Sequence, residues 1–255
     1  VITIATAGNF VNSVGASALT PGAGGKWLVY STDPTLDTPG GLVNAFKHYN
    51  QTFTGVAYAG PGVGNGLLYS LAPVVLPSLT AVTKTYDGTV TVDTSDIPLT
   101  TIGINGDAVT LAAASASFND KNVGLGTTVT ASGITVASAV NGAVAVYGYG
   151  VFPATAANTG SSITPKAVTL TAPVVSKVYD GGVAYTTTAG DLTALASALA
   201  SGDSVSAASM VYTDKNAGAG SKTVNLTSAT VVDGNGGSNY SVTLAGNTTS
   251  TISPK

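Results

Sequence analysis

Two short segments carry the same reactive side chains in the same order, Lys84-Thr85-Tyr86-Asp87-Gly88 and Lys177-Val178-Tyr179-Asp180-Gly181. In a strand, residues two apart share a face, so the lysine and tyrosine of each set would lie together while Asp-Gly makes the turn. A second repeated pair, Asp120-Lys121-Asn122 and Asp214-Lys215-Asn216, precedes Gly-rich stretches. Lysines such as Lys84 and Lys177, with Asn122 and Asn216 as acylating partners, are the types an intramolecular isopeptide bond needs. That reaction requires a shielded amine beside a buried, protonated carboxyl. The plainer reading makes Tyr a core anchor whose hydroxyl finds a partner, and Asp or Asn a turn cap.

His48 is the only histidine, and cysteine and glutamate are absent. A His-rich or thiolate metal site is thereby excluded. Asp33 and Asp37 are close to His48 in sequence, so a His48–Asp cross-link or strong hydrogen bond stapling the N-terminal part is a candidate. No Gly-x-Ser-x-Gly elbow accompanies the histidine, so nothing supports a hydrolase and the expectation is no enzyme. Aromatic residues crowd the first seventy positions. Trp27, Tyr49 and Tyr58 could stack on sugars, or they could form a small core. The stretch Asp233-Gly234-Asn235-Gly236-Gly237-Ser238-Asn239 spaces oxygen ligands loosely like a calcium loop, but it lacks the closing glutamate and reads as a hairpin loop. No cofactor is expected.

The composition sets the elements that must position these residues. Only 8% of the 255 residues are charged, and every basic residue is Lys and every acidic one Asp. Without Arg and Glu, a chain rich in Gly, Thr, Ser, Val and Ala favours short strands and tight turns over helices. No apolar run approaches the ~20 residues of a spanning helix. The formal charge of −3 argues against nucleic acid as a partner.

An internal duplication organises the C-terminal two thirds. Beyond the two Lys-x-Tyr-Asp-Gly segments, Asn105-Gly106-Asp107 matches Ser201-Gly202-Asp203. Asp120-Lys121-Asn122-Val123-Gly124-Leu125-Gly126 matches Asp214-Lys215-Asn216-Ala217-Gly218-Ala219-Gly220, and Ile163-Thr164-Pro165-Lys166 matches Ile252-Ser253-Pro254-Lys255. A period near ~90 residues is that of an independent β-domain rather than a solenoid turn. The domains expected are 1–77, a small mostly-β aromatic module, then 78–166 and 167–255. Alternating segments, including Thr127–Thr130, Ala167–Thr171, Lys222–Leu226 and Tyr240–Leu244, predict strands. The fold expected is all-β, with two tandem antiparallel β-domains, immunoglobulin-like sandwiches or a β-grasp variant. One helical candidate, Leu192–Leu199, lies between Gly190 and Gly202. The short junction at Pro165 restricts hinge motion.

These blocks resemble the YDG repeat of filamentous-haemagglutinin-like adhesins exported by two-partner secretion. The N-terminal segments Gly25-Lys26-Trp27-Leu28-Val29-Tyr30-Ser31 and Phe46-Lys47-His48-Tyr49-Asn50 are similar to the module preceding such repeats. The resemblance implies a bacterial outer-surface, extracellular location and a part in attachment or biofilm formation. It also implies an outer-membrane translocator for the exported chain. The role expected is a monomeric stalk segment whose main partner is the rest of the parent adhesin. The alternative is a module binding glycan or matrix polysaccharide through the N-terminal aromatics.

Overall fold

The structure is a computed structural model describing residues 1–255. Nearly all its regular elements are strands, as the composition predicts. The chain resolves into two compact units. One is built from residues 1–80, 92–117 and 129–158, the other from 81–91, 118–128 and 159–255.

The first unit holds a seven-stranded sheet. Its order is Ile2–Ala5, Trp27–Ser31, Gly66–Tyr69, Phe46–His48, Val144–Tyr147, Thr135–Asn141 and Ala108–Ala112. The first five strands pair in parallel, and only the last two pairings are antiparallel. Four of the five parallel strands lie within residues 1–77, for which the sequence predicts a mostly-β module without a strand direction. Alternation tells which face a side chain takes but is silent on strand direction. Parallel neighbours need a long crossover, and the Gly- and Pro-rich stretches between these strands supply it without helices. Trp27–Ser31 and Gly66–Tyr69 are buried at every position. Strands covered on both faces read as unbroken apolar runs, as Trp-Leu-Val-Tyr does. One face packs Trp27, Val29, Tyr49, Leu67 and Tyr69 together, and the other packs Leu28, Tyr30, Phe46 and Leu68.

The duplication is visible as topology. The second repeat forms a five-stranded sheet ordered Ser176–Val178, Asn247–Ser253, Gly218–Val232, Ser204–Tyr212, Ala184–Tyr185. The first repeat forms Thr83–Thr85, Thr155–Thr164, Gly124–Ser132, Ser115–Phe118, Thr91–Val92, the corresponding strands in the same order. In each sheet the first pair is parallel. Two separate two-stranded parallel pairs also form, Val74–Val75 with Gly150–Val151 and Lys166–Thr171 with Tyr240–Ala245. Within Lys222–Leu226, Lys222, Val224 and Leu226 point inward while Thr223 and Asn225 do not, which is the expected alternation. Full burial of an aliphatic side chain such as Leu226 contributes roughly 1.5–3 kcal/mol.

One helix forms, Ala189–Ala196, slightly earlier than the Leu192–Leu199 expected. Its start is set by a capping box. Thr188 Oγ1 accepts from the Asp191 backbone N–H, and the Asp191 carboxylate accepts from the Thr188 N–H at 2.8 Å. Two otherwise orphaned donors are satisfied at once. The helix buries Leu195 and lies against Ser204–Tyr212. The first repeat has only a short 3-10 turn, Thr94–Asp96, at the corresponding point.

Candidate functional site

The repeated Lys-x-Tyr-Asp-Gly segments adopt one local structure twice. Lys84 Nζ bonds the Thr89 and Thr91 carbonyls at 3.0 and 2.6 Å and pairs with Asp87 at 2.8 Å. Lys177 Nζ bonds the Gly182 and Ala184 carbonyls at 2.9 and 2.8 Å and pairs with Asp180 at 2.8 Å. The lysine gathers the carbonyls of the turn that follows it, and the aspartate caps the same turn. The Lys177 ammonium and the Gly182 N–H hold the Asp180 carboxyl below the usual range. Burial works against Asp87, yet Lys84 and Thr89 outweigh it, so its carboxyl also lies low.

The tyrosine does something else. Tyr86 Oη donates to Asp203 Oδ2 at 3.0 Å, and Tyr240 Oη donates to the same oxygen at 2.5 Å. The Tyr240 hydroxyl also accepts the Ala200 N–H at 2.8 Å, and the Asp203 N–H returns to the Ala200 carbonyl at 3.1 Å. The two rings meet edge to face, 5.4 Å apart at 77°. Tyr86 belongs to the first repeat, while Asp203 and Tyr240 belong to the second.

The first repeat carries the same constellation one step earlier. Tyr49 and Tyr149 donate to Asp107 Oδ2 at 2.6 and 2.9 Å. The Tyr149 hydroxyl accepts the Ile104 N–H at 2.9 Å, and the Asp107 N–H returns to the Ile104 carbonyl at 2.9 Å. The rings of Tyr49 and Tyr149 meet at 5.1 Å and 71°. Here Tyr49 comes from the N-terminal module. In both cases a repeat offers an Asp–Tyr acceptor face, and the element preceding it supplies the second tyrosine.

Each latch has a further strut. Lys47 Nζ and Asn141 Nδ2 reach Asp107 Oδ1 at 3.2 and 2.8 Å, so the fully buried carboxylate is saturated by four donors. An ion pair taken out of water is tolerated when its remaining hydrogen bonds are made in this way. In the second latch, the buried Asn239 side chain accepts the Val123 N–H at 2.8 Å and donates to Asn122 Oδ1 at 2.9 Å. The position aligned with Asn239 in the first repeat is Gly148. A Cβ there would stand 2.2 Å from the Tyr49 carbonyl oxygen, so only glycine admits the tyrosine's backbone.

Burial, reinforced by the bond to Asp203, pushes the Tyr86 phenol up to about 12. Burial with the Asp107 bond takes Tyr149 to about 12, against the opposing Ile104 N–H. Tyr49 and Tyr240 are raised for the same reasons, burial first. All four hydroxyls therefore remain donors throughout the neutral range.

The other candidates fall elsewhere. His48 Nδ1 meets Tyr58 Oη at 2.6 Å, and burial lowers its pKa. It is not brought to either aspartate. Asp37 accepts from Ser31 Oγ and the Phe10 N–H at 2.6 and 2.7 Å, while Asp33 caps its own turn at Thr35. Asn122 and Asn216 donate their backbone N–H to Asp120 and Asp214, the turn-capping arrangement. Lys84 and Lys177 are occupied in their own turns and approach neither asparagine. Asp214 is paired with Lys222 rather than with its neighbour Lys215.

Trp27 and Tyr49 are 2% and 0% exposed, so neither ring presents a face to a sugar, contrary to the glycan-contact expectation. Tyr58 is only half-buried, but its ring stacks on Phe46 at 5.4 Å and its hydroxyl holds His48. The Asp233 loop spends both carboxylate oxygens on the N–H groups of Asn235, Gly237 and Asn239. Burial opposes ionisation there, yet those three donors hold the carboxyl below its ordinary value.

The residues missed in the sequence are Asp107, Asp203, Tyr149 and Tyr240. Their signal was present: an aspartate recurs directly after Asn105-Gly106 and Ser201-Gly202, where the turn itself requires only the glycine.

Neither the curated proteins nor the solved structures contain a match to this chain. The family model described as the YDG domain matches residues 70–151 and again 164–251. Those two matches take in both acceptor faces and the Tyr86 that joins them, and with most of its length so covered the chain belongs to the YDG domain family.

Proposed function

We propose that this chain is a structural, non-enzymatic stalk segment of a large bacterial surface adhesin, exported by two-partner secretion and serving attachment or biofilm formation. The observation that carries the reading is the repetition of the latch. The same Tyr–Asp–Tyr contact ties the first repeat to the module before it and the second repeat to the first. A segment that transmits load needs junctions that resist bending and pulling. A buried carboxylate gripped by two rigid phenols supplies that with little side-chain entropy to lose. The low charge and the turn-stapling lysines fit a scaffold rather than a reactive surface. Its partners on this reading are the remainder of the adhesin and the outer-membrane translocator.

Burial of Trp27 and Tyr49 weighs against the glycan-binding alternative. The test is competition. Purified 255-residue chain, added in excess to cells displaying the parent adhesin, is expected to leave attachment unchanged, whereas deleting the segment from the parent lowers it. Attachment blocked by the purified chain would overturn the stalk reading and make the segment the adhesive part itself.

A further inference from the structure

The first and second repeats place Tyr86 and Tyr179 at equivalent backbone positions. The Tyr86 N–H donates to Thr164 O at 2.9 Å and the Tyr179 N–H to Ser253 O at 2.8 Å, each beside the same lysine-stapled turn. Their environments differ sharply. Tyr86 is 1% exposed, closed over by Asp203 and Tyr240, whereas Tyr179 is 37% exposed. A Cβ on Gly88 would stand 3.2 Å from Ala200 Cβ, while one on the corresponding Gly181 meets nothing within 4 Å. Asn122 and Val123 are half-buried against Asn239, while Asn216 and Ala217, in an equally Asp-capped turn, are exposed. Three separate points on one face of the first repeat are thus filled by the next repeat, and the same three points on the second repeat are open.

We propose that the face formed by Tyr179, Gly181 and the Asn216-Ala217 turn is a docking surface for a further YDG domain. That domain would present an Asp–Tyr–Asn acceptor face of the kind made by Asp203, Tyr240 and Asn239. The Tyr179 hydroxyl would donate to the incoming carboxylate, with the incoming tyrosine ring set edge to face against it. The glycine leaves room for the domain's small residue at the Ala200 position. A second copy of this chain is not the occupant, because its two acceptor faces already hold Tyr49 and Tyr86. This goes beyond the stalk reading by naming the surface through which tandem domains add, and it does not depend on where the chain is exported or what it attaches to.

The experiment extends the chain by repeating residues 167–255 after Lys255, with Val178→Ile in the appended copy to distinguish its peptides by mass. Tyrosines are nitrated with tetranitromethane, and peptide masses report each site. Tyr179 is expected to react readily in the original chain and about tenfold more slowly in the extended one, the protection a docked contact gives. The appended copy's own tyrosine at that position stays reactive as the internal standard. Asp203→Ala in the appended copy alone should return Tyr179 to its original rate. Equal nitration of Tyr179 in both chains would overturn the proposal. So would an appended copy that stays unfolded, since the same sequence folds behind Tyr86. Neither result would touch the competition test of the stalk reading, and failure of that test would leave this one standing.

Discussion

Tyr86 and Asp203 are separated by 117 positions, yet the phenol and the carboxylate meet at 3.0 Å, with Tyr240 on the same oxygen. The carboxylate is the shared element, so its removal strands two hydroxyls at once.

Asp203→Ala is therefore expected to cost more than Tyr86→Phe. Loss of one hydrogen bond to a charged group costs about 1.5–3 kcal/mol, and each buried hydroxyl left unpaired adds about 1–3 kcal/mol. Urea unfolding of the two variants checks the order. A Tyr86→Phe chain as unstable as Asp203→Ala would show that the Tyr86 hydroxyl accounts for the whole effect and that the Tyr240 bond to the carboxylate adds nothing.

At the other latch, charge adds to the effect. Asp107→Ala leaves Lys47 buried with its counter-ion gone, a loss of about 3–5 kcal/mol. Adding Lys47→Met should recover part of it, because the stranded ammonium is then removed. Thermal melts of the single and double variants would show the recovery. A double variant no more stable than Asp107→Ala would place the cost in the tyrosines instead.

His48 gives a stability change with pH in a window of its own. Burial lowers its pKa in the folded chain, while the unfolded chain takes up the proton near ~6.5. The unfolded state therefore binds more protons as pH falls through that value, and stability declines from about pH 7 towards pH 5. His48→Gln should flatten that stretch of the curve. The further decline below about pH 4, where Asp87, Asp180, Asp214 and Asp233 with their lowered pKa values become protonated, should remain. A slope between pH 7 and 5 that survives in the variant would rule out the histidine as its source.

Gly148→Ala tests the close approach behind Tyr49. Its φ is 88°, and an added methyl would stand 2.2 Å from the Tyr49 carbonyl. Left-handed strain alone costs about 1–2 kcal/mol, and the clash should displace Tyr49 from Asp107. Gly234→Ala, also at positive φ but with open space around its Cβ, isolates the backbone contribution. Equal destabilisation by both would mean that the tyrosine's placement is not glycine-dependent.

Much of this architecture was readable in the residues. The duplicated blocks gave two equivalent sheets, and Val224 and Leu226 face inward as alternation requires. The aspartates of the turns cap them as their position suggests. Strand direction was not readable from alternation, which reports only the face a side chain takes, and Trp27–Ser31, covered on both faces, shows no alternation at all. The latch was half visible. Tyr86 stood out by repetition, but its partner lies in the next repeat, and pairwise contact across that distance leaves no local pattern. His48 was drawn toward Asp33 and Asp37 by nearness in sequence, whereas Ser31 and the Phe10 N–H had already taken Asp37.

The parallel pairing of Phe46–His48 with Val144–Tyr147 has a kinetic side. Strands that meet only after about a hundred intervening residues must pay the loop-closure entropy before any ladder rewards it, so this sheet belongs to the slow, high-contact-order class of folders. A chain emerging amino-terminus first would hold the Phe46–His48 edge open until the far strands arrived. That interval, rather than any marginal native stability, is when the chain is most prone to pair with a neighbour.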